Sequence, residues 1–261
     1  MRRKNIFIVL FFIVVLIVGV GCSTKKSSSN KTTPVKTVSK VKKAKSAAKT
    51  DTILNDLKSS PKKTLTYYAL GDSLSVGLFS NSQNTRFTTL FAKDLEKGTG
   101  KKVTEINNSS VGKTVTNFGL PNVQALIAQQ PDLVTIEFGT NDAAYGVDEK
   151  NLGDFTNNLD SLVQQVKSQT KAKILLMTTW SPSDGKYIQN DEIYDQKIKQ
   201  IGQKYQVPIV DLATIWRDNP AVTKNDLGYS NVYNRQKDQF HPNQLGHDKI
   251  SDLLYQTVKT K

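Results

Sequence analysis

From Thr64 onward, short apolar runs alternate with longer segments in which apolar residues recur at helical spacing. The short runs predict β-strands and the longer segments predict amphipathic helices, because the two structures repeat side-chain direction with different periods. The predicted strands are 64–70, 102–107, 132–138, 173–179 and 207–211. The predicted helices are 86–97, 121–129, 149–168, 192–205 and 243–258.

Alternating strands and helices predict an α/β protein, because a helical crossover returns the chain to the same end of a parallel sheet. We therefore expect a three-layer α/β/α sandwich around a five-stranded parallel sheet. Ligands of such sheets bind beyond the carboxyl ends of the strands, so functional residues should follow strands. The polar segment 217–237 is predicted to be a long loop that borders the mouth of the site.

The N-terminal part of the chain has a different composition. Residues 1–63 contain fifteen Lys or Arg and two Asp, whereas residues 64–261 contain twenty-one of each sign, so the net charge of +13 lies outside the predicted domain. The charge therefore does not indicate nucleic-acid binding. Residues 23–63, rich in Lys, Ser and Thr, predict a disordered stalk, with at most a short helical turn over 51–57. Its lysines are either a contact for anionic wall polymers and lipid head groups or simply a solvated spacer.

Residues 1–22 have the layout of a secretory signal, because basic residues 2–4 precede an apolar run, 6–21, that ends at Cys22. The Gly-Val-Gly sequence before Cys22 resembles a bacterial lipobox, which implies cleavage at that point and lipidation of the thiol. The alternative is an uncleaved span, for which the run is slightly shorter than the roughly 20 residues that a bilayer needs. Both interpretations place the domain, predicted over 64–261, at the outer face of the cell membrane. Cys22 is the only cysteine, so no intramolecular disulfide can form.

Two motifs at opposite ends of the predicted domain contain candidate catalytic groups. Ser73 lies in the Gly-Asp-Ser-Leu-Ser sequence after the first strand, and His241 lies in the sequence Asp-Gln-Phe-His-Pro that begins at Asp238. A serine hydroxyl becomes a nucleophile when a base removes its proton, and a carboxylate can orient a histidine for that task. Taken alone, Ser73 is equally well explained as a helix N-cap, and Asp238 and His241 as a local turn.

Gly112 and Asn141 follow the second and third predicted strands. Acyl transfer needs hydrogen-bond donors for the negative charge that develops on the carbonyl oxygen, and a loop N–H or an asparagine amide can supply them. Each residue has a commoner explanation on its own, a turn glycine for Gly112 and an Asx cap for Asn141. Their occurrence together with the serine and histidine motifs favours catalysis.

These four motifs, in this order across 71–242, resemble the GDSL lipase/esterase family, also called SGNH hydrolases. The resemblance implies a flavodoxin-like SGNH hydrolase fold and a Ser73, Asp238 and His241 triad. It also implies an oxyanion hole made by the backbone N–H groups of Ser73 and Gly112 and the side-chain amide of Asn141. No cofactor or metal is expected, because two histidines and one cysteine offer no zinc set and no phosphate-binding loop is present.

The sequence thus predicts a membrane-anchored, extracytoplasmic serine esterase of the carboxylesterase or lipase type. Its ester substrate is either a lipid or an O-acylated glycan, since family members act on both classes. The alternatives are an O-acetylesterase or acyltransferase that acts on cell-wall polysaccharide, and a non-catalytic surface-binding lipoprotein. Trp180, Tyr145 and Tyr187 are predicted either to line a substrate groove or to pack in the core, and His247 to be a surface or packing residue.

Overall fold

The structure is a computed structural model that describes residues 52–182 and 188–261. The predicted signal, Cys22 and the stalk up to Asp51 lie outside the described residues, as does Tyr187. None of the helices in the described ranges combines the length and the apolar character that a membrane span requires.

A parallel sheet of five strands forms the centre of the domain. The strands are β1 (Thr64–Gly71), β2 (Lys102–Ser109), β3 (Leu133–Glu137), β4 (Lys173–Met177) and β5 (Ile209–Val210). Their spatial order is β2-β1-β3-β4-β5, and every neighbouring pair is parallel. The predicted five-stranded α/β fold is confirmed, and each strand overlaps a predicted one. The order changes direction between β1 and β3, which is the position at which doubly wound sheets open a ligand crevice.

Helices cover both faces of this sheet. In the described ranges they are α1 (Ile53–Ser59), α2 (Ser73–Val76), α3 (Phe87–Thr99), α4 (Val123–Ala128), α5 (Thr140–Ala143), α6 (Glu149–Gln169), α7 (Ile188–Tyr205), α8 (Ala213–Trp216) and α9 (Gln244–Lys259). The five predicted helices correspond to α3, α4, α6, α7 and α9. The two short helices α2 and α5 directly follow β1 and β3, where periodicity gives no signal because each has only four residues.

Successive residues of β1 pack into two separate cores. Tyr67 and Ala69 belong to the core that α3 and α9 cover, whereas Tyr68 and Leu70 belong to the core under α4, α6 and α7. Because both faces are buried there, residues 67–70 of the strand form a continuous apolar run and not an alternating one.

The folded domain begins before the predicted boundary at Thr64. The side chain of Thr52 caps α1, and Leu57 is 5% exposed and packs in the same core as α3 and α9. Residues 53–59 therefore belong to the domain and not to the predicted disordered stalk. A short helical turn was predicted over 51–57, but its apolar residues Ile53, Leu54 and Leu57, which pack against this core, were not predicted to be part of the domain.

The loop at 217–237 contains a small antiparallel hairpin, β6 (Tyr229–Ser230) and β7 (Arg235–Gln236). Tyr233, in the turn of the hairpin, hydrogen bonds through its hydroxyl to Ser80, and its ring lies edge-on to Phe79 at 6.4 Å. Phe79 also contacts the ring of His241 at 5.5 Å. The hairpin is thereby fixed beside one of the candidate catalytic residues.

His247 is a packing residue in the interior and does not reach the surface. Its Nε2–H donates to the carbonyl oxygen of Leu78 at 2.9 Å, its ring stacks on Phe87, and Nδ1 is buried without a partner among the described residues. A proton on Nδ1 would have no acceptor there. Burial lowers the pKa of His247 from 6.5 to about 4.

This shift predicts a loss of stability in mild acid. In the unfolded chain His247 takes up a proton near its ordinary pKa, whereas in the folded domain it stays neutral down to about pH 4, so folding is disfavoured as the pH falls through that interval. Between pH 7 and pH 5, wild type should lose about 2 kcal/mol more unfolding free energy than His247→Gln, which retains a donor but does not titrate. Urea unfolding at both pH values measures this difference, and an equal pH dependence of the two proteins would contradict it.

Candidate active site

The chain makes a tight turn where β1 ends, and this turn places Ser73 at the first position of α2. Asp72 caps the helix, since its Oδ1 accepts a hydrogen bond from the backbone N of Leu74 at 2.9 Å. Gly71 must lack a side chain, because an added Cβ would lie 2.3 Å from Ser75 Oγ and 2.7 Å from Glu137 Oε2. The Gly-Asp-Ser-Leu-Ser sequence is therefore explained by the packing beneath the serine.

Ser73, His241 and Asp238 form a continuous chain of hydrogen bonds. Ser73 Oγ lies 2.9 Å from His241 Nε2, and His241 Nδ1 lies 2.8 Å from Asp238 Oδ2. Because a carboxylate only accepts, Nδ1 carries the proton and Nε2 is left to accept from the serine hydroxyl. The sequence motifs at the two ends of the domain are thus brought together as predicted.

The carboxylate of Asp238 is held by its own turn. Its Oδ1 accepts hydrogen bonds from the backbone N–H groups of Phe240 and His241 at 2.9 and 2.8 Å. Burial acts to raise the pKa of Asp238, but the hydrogen bonds and the charge of His241, together with these amides, outweigh it and hold the pKa below its ordinary value. Asp238 is therefore ionised at neutral pH and can steady an imidazolium.

Aromatic packing fixes the imidazole ring. Phe79 and Phe240 lie edge-on to His241, at 5.5 and 5.4 Å. Trp180 is buried and donates from Nε1 to the carbonyl oxygen of Phe240 at 2.8 Å, so it supports the histidine turn from the core and does not line a groove. Tyr145, in contrast, is 67% exposed.

The three predicted oxyanion donors differ in whether they already form hydrogen bonds. Gly112 has φ of +72°, a backbone conformation that favours glycine. The backbone N–H groups of Ser73 and Gly112 form no hydrogen bond within the described part of the chain. The Asn141 amide, however, donates to Asp72 Oδ2 at 2.6 Å and to the carbonyl oxygen of Lys113 at 3.0 Å. An oxyanion can therefore take the two backbone groups directly, but it must compete for the amide of Asn141.

Three buried carboxyl groups surround the nucleophile turn, namely Asp72, Glu137 and Asp142. Burial raises the pKa of Asp72 and, together with the charge of Asp72, raises that of Glu137 well above its ordinary value. Burial also raises the pKa of Asp142 to about 7, although backbone N–H groups of Val115 and Gly139 donate to it. Glu137 and Asp142 were not among the predicted site residues. The one available signal was a glutamate at the end of the buried apolar run of β3.

No metal site accompanies these groups in the ranges described, where no three His, Cys, Asp or Glu side chains are grouped as ligands. The arrangement can supply a nucleophile, a general base and N–H donors that no described residue engages, which are the parts that acyl transfer requires.

Comparisons with known proteins identify similar molecules. Residues 69–249 match the GDSL-like Lipase/Acylhydrolase family, a range that includes all the candidate site residues from Ser73 to His241. An arylesterase of Vibrio mimicus is 35% identical over 127 residues, which make up 48% of this chain and 60% of that protein. The chain therefore matches less than two thirds of the length of this relative.

Solved esterases share the fold. The psychrotrophic esterase EstA from Pseudoalteromonas sp. is 26% identical with a TM-score of 0.57, over 74% of this chain and 96% of that one. An acetylxylan esterase from Geobacillus stearothermophilus is 20% identical with a TM-score of 0.59, over 76% of this chain and 95% of that one.

The hydrogen-bond chain predicts how Ser73 reacts with a fluorophosphonate probe. In Asp238→Asn the new amide can donate toward Nδ1, which favours the tautomer with the proton on Nε2 and prevents it from accepting the serine proton. The labelling rate of Ser73 should fall by about 10⁴-fold, as such a replacement does in serine triads. Labelling of Asp226→Asn, which alters an exposed carboxylate in the same loop region, should match wild type. Equal labelling of Asp238→Asn and wild type would exclude this role.

Proposed function

The chain belongs to the GDSL-like lipase/acylhydrolase family, and from this premise we propose that it is a serine esterase that cleaves carboxylic esters through an acyl-enzyme. The observation that carries the proposal is the unbroken series of hydrogen bonds from Ser73 through His241 to Asp238, next to two backbone N–H groups that have no acceptor among the described residues. The match of residues 69–249 to the family supports a catalytic role for these hydrogen-bonded residues.

The reaction would proceed in two halves. Ser73 Oγ attacks the ester carbonyl as His241 Nε2 takes the hydroxyl proton, and Asp238 stabilises the imidazolium. The N–H groups of Ser73 and Gly112 bind the oxyanion, and collapse of the tetrahedral intermediate expels the alcohol, which takes the proton from His241. Water then attacks the acyl-enzyme as His241 Nε2 takes a proton from it, and the bond between Ser73 Oγ and the acyl carbon breaks as His241 returns that proton to Ser73 Oγ, which releases the acid.

A cleft whose lining includes hydroxyl, amide and carboxyl side chains favours a second candidate within this chemistry, an O-acetylesterase acting on polysaccharide. The cleft, of about 230 Å³, includes Asp142, which follows Asn141, and Thr114, which lies two residues after Gly112. Asn117 and Asn151 provide amides in its lining, and the exposed ring of Tyr145 offers a flat surface of the kind on which sugar rings stack. The matched acetylxylan esterase acts on a substrate of this class.

Both candidates are tested with residues 52–261, the part of the chain that the described domain spans. p-Nitrophenyl acetate, butyrate, octanoate and palmitate should be hydrolysed by wild type but not by Ser73→Ala. A maximum at medium or long chains would indicate a lipid esterase. A preference for acetate, with release of acetate from O-acetylated wall material, would indicate a polysaccharide esterase. Turnover that persists in Ser73→Ala would refute the mechanism. If wild type hydrolyses none of these esters, an acyltransferase or a binding protein would be favoured.

We further propose that the enzyme works outside the cytoplasm, anchored by a lipid on Cys22. Support comes from the signal-like layout of residues 1–22 and from the lysine-rich segment that follows, which suits contact with anionic wall polymers or head groups. Such a tether would keep the esterase close to both substrate classes, the lipids of the membrane and the polysaccharides of the wall.

Lipidation of Cys22 can be tested separately from esterase activity. In cells that express the full chain, wild type should incorporate an alkyne fatty acid and sediment with membranes, whereas Cys22→Ala should take up no label. Ser23→Ala, which alters the neighbouring position, should behave as wild type. Membrane sedimentation of wild type without any label would instead support the uncleaved span.

A further inference from the structure

A pair of buried carboxyl groups lies beneath the candidate nucleophile. Glu137 ends β3 and is 1% exposed, and Asp72 follows β1 and is 2% exposed. The two strands are neighbours, and Gly71 is in register with Glu137. Glu137 Oε2 accepts hydrogen bonds from the backbone N of Asp72 at 3.2 Å and from Ser75 Oγ at 2.9 Å. Glu137 thus fixes the turn at residues 72–75, which contains Ser73.

No cation compensates this pair, since no Lys or Arg of the described residues forms an ion pair with either carboxyl group. The titratable groups that face the pair are His241, hydrogen bonded to Ser73, and Asp142, on α5. Two buried, adjacent carboxylates repel each other and both lose hydration, so one of them retains its proton.

Hydrogen bonding indicates which of the two is neutral. Asp72 accepts from the backbone N of Leu74 and from the amide of Asn141, with Ser73 Oγ at 3.5 Å. Glu137 has a single accepting oxygen, and its Oε1 is buried without a hydrogen-bond donor among the described residues. Because donors stabilise the ionised form, Asp72 carries the charge and Glu137 the proton.

These contacts connect Glu137 to two groups of the proposed reaction. Asp72 caps α2, which begins with Ser73, and its other oxygen holds the Asn141 amide. Ser75 is fixed in turn, because its carbonyl oxygen accepts from Asn107 at 2.7 Å. The glycine at position 71 leaves the volume that the Ser75 and Glu137 side chains occupy.

We propose that Glu137, supported by Ser75, is a positioning residue of this esterase. In its neutral form it fixes Asp72 as a single buried charge, and Asp72 aligns both the serine turn and the amide of Asn141. This inference rests on the proposed function, since it assigns Glu137 a part in the same reaction without contact to the substrate.

The test compares three variants of the full chain on p-nitrophenyl acetate. Glu137→Leu removes the acceptor and should lower kcat by about 10²-fold, the cost of one misplaced oxyanion donor, with KM unchanged. Glu137→Gln keeps a neutral acceptor and should recover most of that loss. Thr135→Val is the matched control. It lies two residues earlier on β3, is buried, and loses a hydrogen bond to Tyr67, so it should lower the melting temperature but not kcat.

A pH profile provides a readout that loss of stability would not produce. At alkaline pH, Glu137 of wild type should lose its proton and place a second charge beside Asp72, and kcat should decline. Glu137→Gln cannot ionise and should lack this decline. If Glu137→Leu does not fold, Ser75→Ala takes its place and should lower kcat to a smaller extent, again with KM unchanged.

Three results would overturn the inference: wild-type kcat in folded Glu137→Leu, equal loss of kcat in the Leu and Gln variants, or the same alkaline decline in wild type and Glu137→Gln. The labelling rate of Ser73 by a fluorophosphonate separates this inference from the proposed function. If wild type is labelled but hydrolyses no ester, the proposed function fails. The same order of labelling rates, with wild type and Glu137→Gln above Glu137→Leu, would still support the positioning role.

Discussion

The register of three parallel strands is the constraint on which the site depends. Gly71, at the end of β1, is paired with Ser109 of β2 on one side and with Glu137 of β3 on the other, so all three strands end at the same level. Ser73, Gly112 and Asn141 lie on the segments that directly follow these strands, and those segments must emerge together at one edge. A shift of one residue in either pairing would turn the buried side chains of that strand to the opposite face, so the two cores hold the register in place.

Much of the fold and of the site was predictable from the sequence because it rests on local signals. Apolar runs predicted every strand of the sheet, and the order of the motifs predicted which strand each candidate residue would follow. Glu137 was not predictable, because a glutamate at the end of an apolar run is expected to turn toward solvent. Its hydrogen-bond partners, the backbone N of Asp72 and the hydroxyl of Ser75, follow β1, and only the folded sheet brings them into contact with the end of β3. Trp180 likewise depends on a distant acceptor, the carbonyl oxygen of Phe240.

The carboxyl groups on the two sides of Ser73 have different electrostatic surroundings. On one side, Asp238 faces His241 and accepts two backbone hydrogen bonds, so its ionised form is favoured, and in the proposed reaction it would stabilise the cation formed on His241. On the other side, Asp72 and Glu137 are buried together, and neither forms an ion pair with a Lys or Arg in the described part of the chain. A charge that is held by neutral donors responds strongly to any change in them. A change in the donors to Asp72 should therefore shift both the serine turn and the Asn141 amide, which Asp72 holds through its two oxygens.

The engaged amide of Asn141 fits this balance. At rest it donates to the carboxylate of Asp72, and during reaction it would donate to an oxyanion instead. Both acceptors are negatively charged, so the exchange replaces one charge-assisted hydrogen bond with another and its net cost is small. An amide left without an acceptor at this partly buried position would have to be desolvated in the resting site. In the proposed reaction Asp72 would thus keep the amide close to the oxyanion, and the oxyanion would gain the amide only as its own charge develops, which would direct the stabilisation toward the transition state.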